Sequence, residues 1–234
     1  MKKIEVLFPE ITSLFGDHFN YKYLAMCSDE IEIVTTSLKE TPKFLNEDIS
    51  LVYMGPMCEK SQELVIDALK PYVSKINEKI NNNQLFLIIG NALEVFGQYI
   101  ENEDGSRIEG LAVTNLYAKR DMMHRYNNWF LGSLDDMEIV GFMCEFAMSY
   151  GDNSNNYLFK VNKGIGINKE SKFEGYRKNN FMCSYLLGPL LVSNPDFTKY
   201  ILKLMGIKEP SIKFEESIVE AYKIRLKEFK ELNF

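Results

Sequence analysis

The sequence predicts an α/β protein built on a mainly parallel central sheet, and two observations carry that expectation. One is Leu85-Phe86-Leu87-Ile88-Ile89, an unbroken apolar run of the kind a strand buried on both faces requires, followed at once by Gly90-Asn91-Ala92. The other is the recurring order strand, turn, helix up to Gly97, which is the grammar of parallel sheets. Beyond Gly97, short strand-like runs between turn clusters predict an antiparallel region added to that core.

Taken in order, Ile4-Glu5-Val6-Leu7-Phe8 reads as the first strand, stopped by Pro9, and Leu14 to Asn20 leads into an apolar helix ending near Cys27. Ile31 to Val34 alternates as a second strand. Ile49 to Met54 is a third, terminated by Gly55-Pro56. Glu59 to Lys79 carries a helical period, with Leu64, Ile66, Leu69, Tyr72, Val73 and Ile76 as its inward stripe. The Leu85 strand then falls centrally and turns at Gly90 into a short helix, with Leu93, Val95 and Phe96 packing back on the sheet and Gly97 as its C-terminal cap. Asp104-Gly105 between Tyr99-Ile100-Glu101 and Arg107-Ile108-Glu109 signals a hairpin. Ala112 to Tyr117, Glu138 to Phe142 and Tyr157 to Val161 read as strands around the turn cluster Gly151 to Asn156, and Phe181 to Leu186 as the last strand. Helices follow at Pro195 to Met205 and Ser211 to Leu232, the second with Ile212, Ile218, Ala221, Tyr222, Ile224, Leu226 and Phe229 on one stripe.

The 234 residues, 46% of them hydrophobic, suffice for one domain spanning 1–234. A net charge of -6, from 27 basic residues interspersed with 33 acidic ones, argues against nucleic acid and anionic membrane as partners. No run approaches the ~18 apolar residues of a membrane span, and Met1-Lys2-Lys3-Ile4 enters a strand, so a cytoplasmic location is expected. Cys27, Cys58, Cys144 and Cys183 include no C-x-x-C pair, and there are only two histidines, so reduced thiols and no metal or cofactor are expected.

In open α/β sheets ligands gather at the carboxyl ends of the strands, and a strand-to-helix elbow there is the place for a nucleophile. Here that place is held by Gly90, which has no side chain to react. Glycine and asparagine can hold the left-handed backbone an elbow needs.

Several short motifs then occur in one family's order. Leu14-Phe15-Gly16-Asp17 with Asn20, Leu51 to Gly55, the elbow at Leu85 to Gly97, Asp104-Gly105-Ser106-Arg107-Ile108-Glu109-Gly110-Leu111, Phe130-Leu131-Gly132, Gly141-Phe142, Glu174-Gly175-Tyr176, and Ser184-Tyr185-Leu186-Leu187-Gly188-Pro189-Leu190-Leu191 with Asn194-Pro195 resemble the class I glutamine amidotransferase domains of the cobyric acid synthase type. The resemblance is strongest to the small glutaminase subunits of lipid II isoglutaminyl synthases. It implies a flavodoxin-like three-layer sandwich and a Mur ligase-like synthetase as partner. It also implies an activity, release of ammonia from glutamine by a cysteine at the elbow and a histidine near the last strand.

By motif position those two residues are Gly90 and Leu187. Asn91 replaces the elbow glycine, Trp129 the substrate-holding arginine, and Gly55-Pro56-Met57-Cys58 the glycine-rich loop, with one N–H lost at Pro56. Nucleophile and base act as a unit, so the double loss implies a pseudoenzyme with Gly55, Pro56, Asn91, Ala92 and Trp129 as the remnant of the substrate pocket. Two alternatives stay open at this point. Cys58 could serve as a displaced nucleophile for glutamine or another amide, or the old pocket could sense a small molecule such as glutamine or an anion on the amides of Asn91 and Ala92. Cys144 and Cys183 read as apolar filler, His18 and His124 as turn or surface residues. Asp104 to Leu111 reads as a turn with a partner-facing strand in preference to an acidic metal loop, and Trp129 as a pocket filler or an interface residue.

Overall fold

The computed structural model describes residues 1–232. Along the chain run β1 (Lys2–Leu7), α1 (Phe19–Cys27), β2 (Ile31–Thr36), β3 (Leu51–Met54), α2 (Glu59–Leu69), α3 (Val73–Asn81), β4 (Phe86–Ile89) and α4 (Ala92–Val95). Next come β5 (Tyr99–Glu101), β6 (Arg107–Glu109), β7 (Tyr117–Arg120), β8 (Tyr126–Leu134), β9 (Met137–Glu145), β10 (Ala147–Tyr150), β11 (Phe159–Lys163) and β12 (Phe173–Glu174). The chain closes with β13 (Tyr176–Lys178), β14 (Phe181–Ser184), α5 (Leu190–Ser193), α6 (Pro195–Leu204) and α7 (Glu215–Glu231).

The predicted central sheet is present, with strand order β13-β14-β4-β3-β1-β2 and every neighbouring pair parallel except β13 with β14. All residues of β3, β4 and β14 are buried, so both faces of the sheet centre are covered and the architecture is three-layered. The elbow strand β4 lies between β3 and β14, as its continuous apolar run requires. Two four-stranded sheets, β10-β7-β5-β6 and β12-β11-β8-β9, form the added region, mostly antiparallel. The Asp104-Gly105 hairpin joins β5 to β6 with Ile100 opposite Ile108.

Several elements depart from the expectation for local reasons. The helix over Glu59 to Lys79 breaks into α2 and α3 at a 3-10 turn around Pro71, which cannot supply the helical N–H. Within α2, Leu64 is exposed and Val65 is buried instead. Of the strand expected over Ala112 to Tyr117 only Tyr117 is in a strand, as the start of β7: Ala112 has φ +51°, and the amides of Leu111 to Thr114 bond to the carbonyls of Val95, Phe96 and Gly97. Gly97 is not a left-handed cap. It is glycine because a Cβ there would lie 2.9 Å from the Leu116 carbonyl oxygen. The first strand ends at Leu7, with Phe8 at φ +55°. In α7 only Phe229 of the predicted stripe is buried, Ile224 is exposed, and Ile212 precedes the helix. The nine-residue strand β8, which begins Tyr126-Asn127-Asn128-Trp129, has no clean alternation and was not expected from the sequence.

Candidate functional site

At the end of β4 the chain turns sharply. Gly90 has φ +66°, and its N–H donates to the Ser184 carbonyl across the β14 neighbour at 2.7 Å. A Cβ built on Gly90 would lie 2.7 Å from Pro56 Cβ and 3.3 Å from Leu187 Cδ2. Glycine is thus required twice, for the left-handed backbone and for the space. The structure brings Gly90, Pro56 and Leu187 together as the motif positions imply, and leaves no room between them for a side chain that could act as a nucleophile.

The loop after β3 is locked onto the elbow. Asn91 Oδ1 accepts from the Met57 N–H at 3.0 Å, and Asn91 Nδ2 donates to the Met57 carbonyl at 2.7 Å. Gln62 Nε2 donates to the Asn91 carbonyl at 2.8 Å, and the Leu14 N–H donates to the Pro56 carbonyl. The amide of Met57 is therefore already used inside the protein. Asn91 and Ala92 are both buried, and α4 is a single turn of four residues.

Leu187 is fully buried and bridges to β9, its N–H donating to the Phe142 carbonyl at 2.7 Å. Trp129 sits opposite Phe142 on β8, with ring centroids 5.2 Å apart, and packs edge-on to Phe229 of α7 at 5.4 Å. Half of the tryptophan is exposed. Its ring contacts are with Phe142 and Phe229 and not with the residues that crowd Gly90. The predicted remnant accordingly splits in two: Gly55, Pro56, Asn91 and Ala92 crowd around Gly90, whereas Trp129 lines a separate cleft of about 240 Å³ on the other side of Leu187, with Phe142, Gly188, Arg225 and Phe229.

Cys58 is exposed at the start of α2, with Sγ 3.1 Å from Ser61 Oγ. Ser61, through its side chain and its amide, lowers the thiol below its ordinary range. No histidine bonds to it. His124 is held by Asp121 at 3.0 Å on the surface. Cys183 is buried, Cys27 and Cys144 are half-buried, and burial raises all three thiols. Among the described residues no group of three His, Cys, Asp or Glu is placed to hold a metal. Asp104 instead caps its own turn through the amide and hydroxyl of Ser106.

Behind the elbow lies a set of buried carboxyls, Glu94, Glu174 and Asp17, to which the motifs alone assign no role. Glu94 accepts from Gln62 at 2.9 Å and from Tyr185 Oη at 3.1 Å, and burial pushes it up to about 7. Arg120 reaches the same cluster through Gln62 Oε1 at 2.6 Å. Glu174 receives the Tyr185 amide and the Ser184 hydroxyl and is pushed up to about 8. Asp17, also pushed up to about 7 by burial, accepts from Tyr53, while Asn20 holds the amide of Leu191 and Asn194 clasps the backbone of Val140 in both directions. The motif residues that this chain keeps, Asp17, Asn20, Glu174 and Asn194, are thus buried hubs that tie separate segments together. Their signal could have been read as structural: polar residues fully buried in an α/β core need several partners at once.

No family model matches the chain. It is 25% identical over 190 residues, 81% of this chain and 77% of the relative, to the GatD subunit of the glutamine-hydrolysing lipid II isoglutaminyl synthase of Staphylococcus aureus (strain N315). It is 26% identical over 211 residues, 87% of this chain and 79% of the relative, to the subunit of the same name from Streptococcus pneumoniae (strain ATCC BAA-255 / R6). Among solved structures, a glutamine amidotransferase superposes with a TM-score of 0.56 at 12% identity, covering 87% of this chain and 99% of that one. A glutamine amidotransferase from Thermotoga maritima superposes with a TM-score of 0.50 at 15% identity, covering 99% and 86%. The parallel sheet, the left-handed elbow at the end of its central strand and these likenesses in backbone and sequence together make the fold a glutamine amidotransferase-like one.

Proposed function

We propose that this chain is a single-domain, cytoplasmic glutamine amidotransferase-like subunit, of the cobyric acid synthase type, that has lost glutaminase chemistry. It serves as a binding or regulatory partner of a Mur ligase-like synthetase in cell-wall or related amidation, within a heterodimer. The relatives being subunits of lipid II isoglutaminyl synthase supports the partner and the setting. The observation that carries the loss of chemistry is the packing at Gly90: Pro56 and Leu187 stand where the side chain of a nucleophile and the imidazole of a base would have to be.

The test is glutamate release from glutamine by the chain captured from its host with whatever synthetase copurifies, since an isolated subunit could be silent for want of its partner. The expected result is no release above background. One observation favours a second reading, hydrolysis by a displaced thiol: Cys58 is exposed and its thiol is lowered by Ser61. Robust release that is lost in Cys58→Ser, and kept in Cys144→Ser and Cys183→Ser, would establish that reading and overturn the first.

A further inference from the structure

We infer that the cleft between β9, the segment after β14 and α7 is a binding site for a small aromatic monocarboxylate, a ligand class distinct from glutamine. It is lined by Trp129, Phe142 and Phe229 together with Val140 and Leu187, and Ser193 and Arg225 are the lining residues with polar side chains. Trp129 packs against both other rings, at 52° to Phe142 and 63° to Phe229, so the three form one continuous aromatic wall against which a planar group can lie.

The volume of about 240 Å³ exceeds the ~150 Å³ of an engineered apolar cavity that accepts benzene, and so suits one ring with a short chain. Arg225 lies on an exposed turn of α7 and, among the described residues, makes no ion pair with any carboxylate. Its planar fork is free to take a carboxylate in two parallel hydrogen bonds while the ring lies against the aromatic wall. Among the described residues no acidic side chain lines the cleft to pair with an ammonium group, which sets glutamine and other free amino acids at a disadvantage. The cleft shares Leu187 with the elbow, yet the proposal does not depend on whether the chain turns glutamine over.

Trp129 is the only tryptophan, so selectively excited fluorescence of the intact chain reports this cleft alone. The probes are 3-phenylpropionate, its uncharged amide and glutamine. Saturable quenching or a spectral shift is expected with 3-phenylpropionate, with weaker binding of the amide and none of glutamine. Arg225→Gln, a surface change that leaves the fold intact, is expected to weaken the carboxylate about tenfold or more and to abolish its advantage over the amide, as loss of a charge-assisted pair implies. Saturation-transfer NMR on the ligand, run with Trp129→Phe as well, checks binding without relying on the fluorophore. No response to 3-phenylpropionate up to about 10 mM in either readout, where a Kd of ~1 mM already corresponds to only ~4 kcal/mol, would overturn the assignment. Equal affinity for acid and amide, or equal binding by glutamine, would overturn it as well.

Discussion

Asn91 and Met57 hold each other by two hydrogen bonds, the Met57 amide to Asn91 Oδ1 at 3.0 Å and Asn91 Nδ2 to the Met57 carbonyl at 2.7 Å, so that one side chain imitates a strand neighbour for the loop after β3. Both residues are buried, and replacing Asn91 with Leu leaves a donor and an acceptor of the loop unsatisfied. The expected cost is about 2–3 kcal/mol in urea denaturation, accompanied by faster hydrogen exchange at Met57. Unchanged stability and exchange would mean that the clasp does not hold the loop.

Gly90 is expected to tolerate no side chain. Gly90→Ala should cost about 3 kcal/mol, combining the left-handed backbone with the contact on Pro56. Pro56→Gly should recover part of that loss when combined with it, because only the contact is relieved. The same packing predicts that Gly90→Cys with Leu187→His produces a destabilised protein that does not reach the rates of an intact glutaminase. A wild-type fold with full glutamate release would show the elbow to be more open than its geometry.

Stability should fall as pH rises through neutrality. Burial pushes Asp17 from its ordinary 3.8 to about 7 and Glu174 from 4.5 to about 8. Between the ordinary and the folded values the unfolded chain has released these protons and the folded protein has kept them. The folded state binds more protons, so the free energy of unfolding declines with rising pH at up to about 1.4 kcal/mol per pH unit and per group. It is unaffected below about pH 4 and levels off above about pH 8, once the folded carboxyls have also ionised. Denaturant midpoints measured from pH 4 to 9 test this, and Glu174→Gln should flatten the slope; a rise in stability toward pH 8 would contradict it.

Among the four cysteines, Cys58 should be alkylated first by iodoacetamide and Cys183 last, since one is exposed with a lowered thiol and the other is buried with a raised one. Ser61→Ala should slow Cys58 several-fold by removing the hydrogen bond to Sγ. Peptide mass spectrometry over a time course reads both, and a faster Cys183 would place the wrong thiol at the surface.

The parallel core was legible because its signals are local: a continuous apolar run for β4, an Asp-Gly pair for the hairpin of β5 and β6, a glycine at the elbow. What escaped were places where one segment is decided by another. Ala112 to Tyr117 has strand-like composition, yet the amides of Ala112 to Thr114 are taken by the carbonyls of Phe96 and Gly97 just after α4. The strand β8 lacks a clean alternation because Phe130, Leu131 and Gly132 are all buried while Tyr126 to Trp129 stay partly open to solvent. At the site, Gly90, Pro56 and Leu187 were found through motif order, and they do meet. Trp129 was placed with them because a motif position records descent and not direction, and a tryptophan on β8 points its bulk toward α7. The Asn91 clasp has no signature in sequence, since a side chain bonding to a distant backbone leaves no periodicity. Glu94 and Glu174 lie in motif segments, but their burial and their distant partners leave no such signature either.

The place of β14 in the central sheet has a consequence for how the protein is made. Its residues 181–184 pair with β4, and the Ser184 carbonyl receives the Gly90 amide, so the central strand is flanked on one side by chain synthesised almost a hundred residues after it. While the ribosome is still adding the two smaller sheets, β4 presents a bare apolar edge, the kind of surface that chaperones guard. Sheet closure, and with it the elbow, must wait for a late, long-range pairing, which marks this molecule for slow folding in the cell.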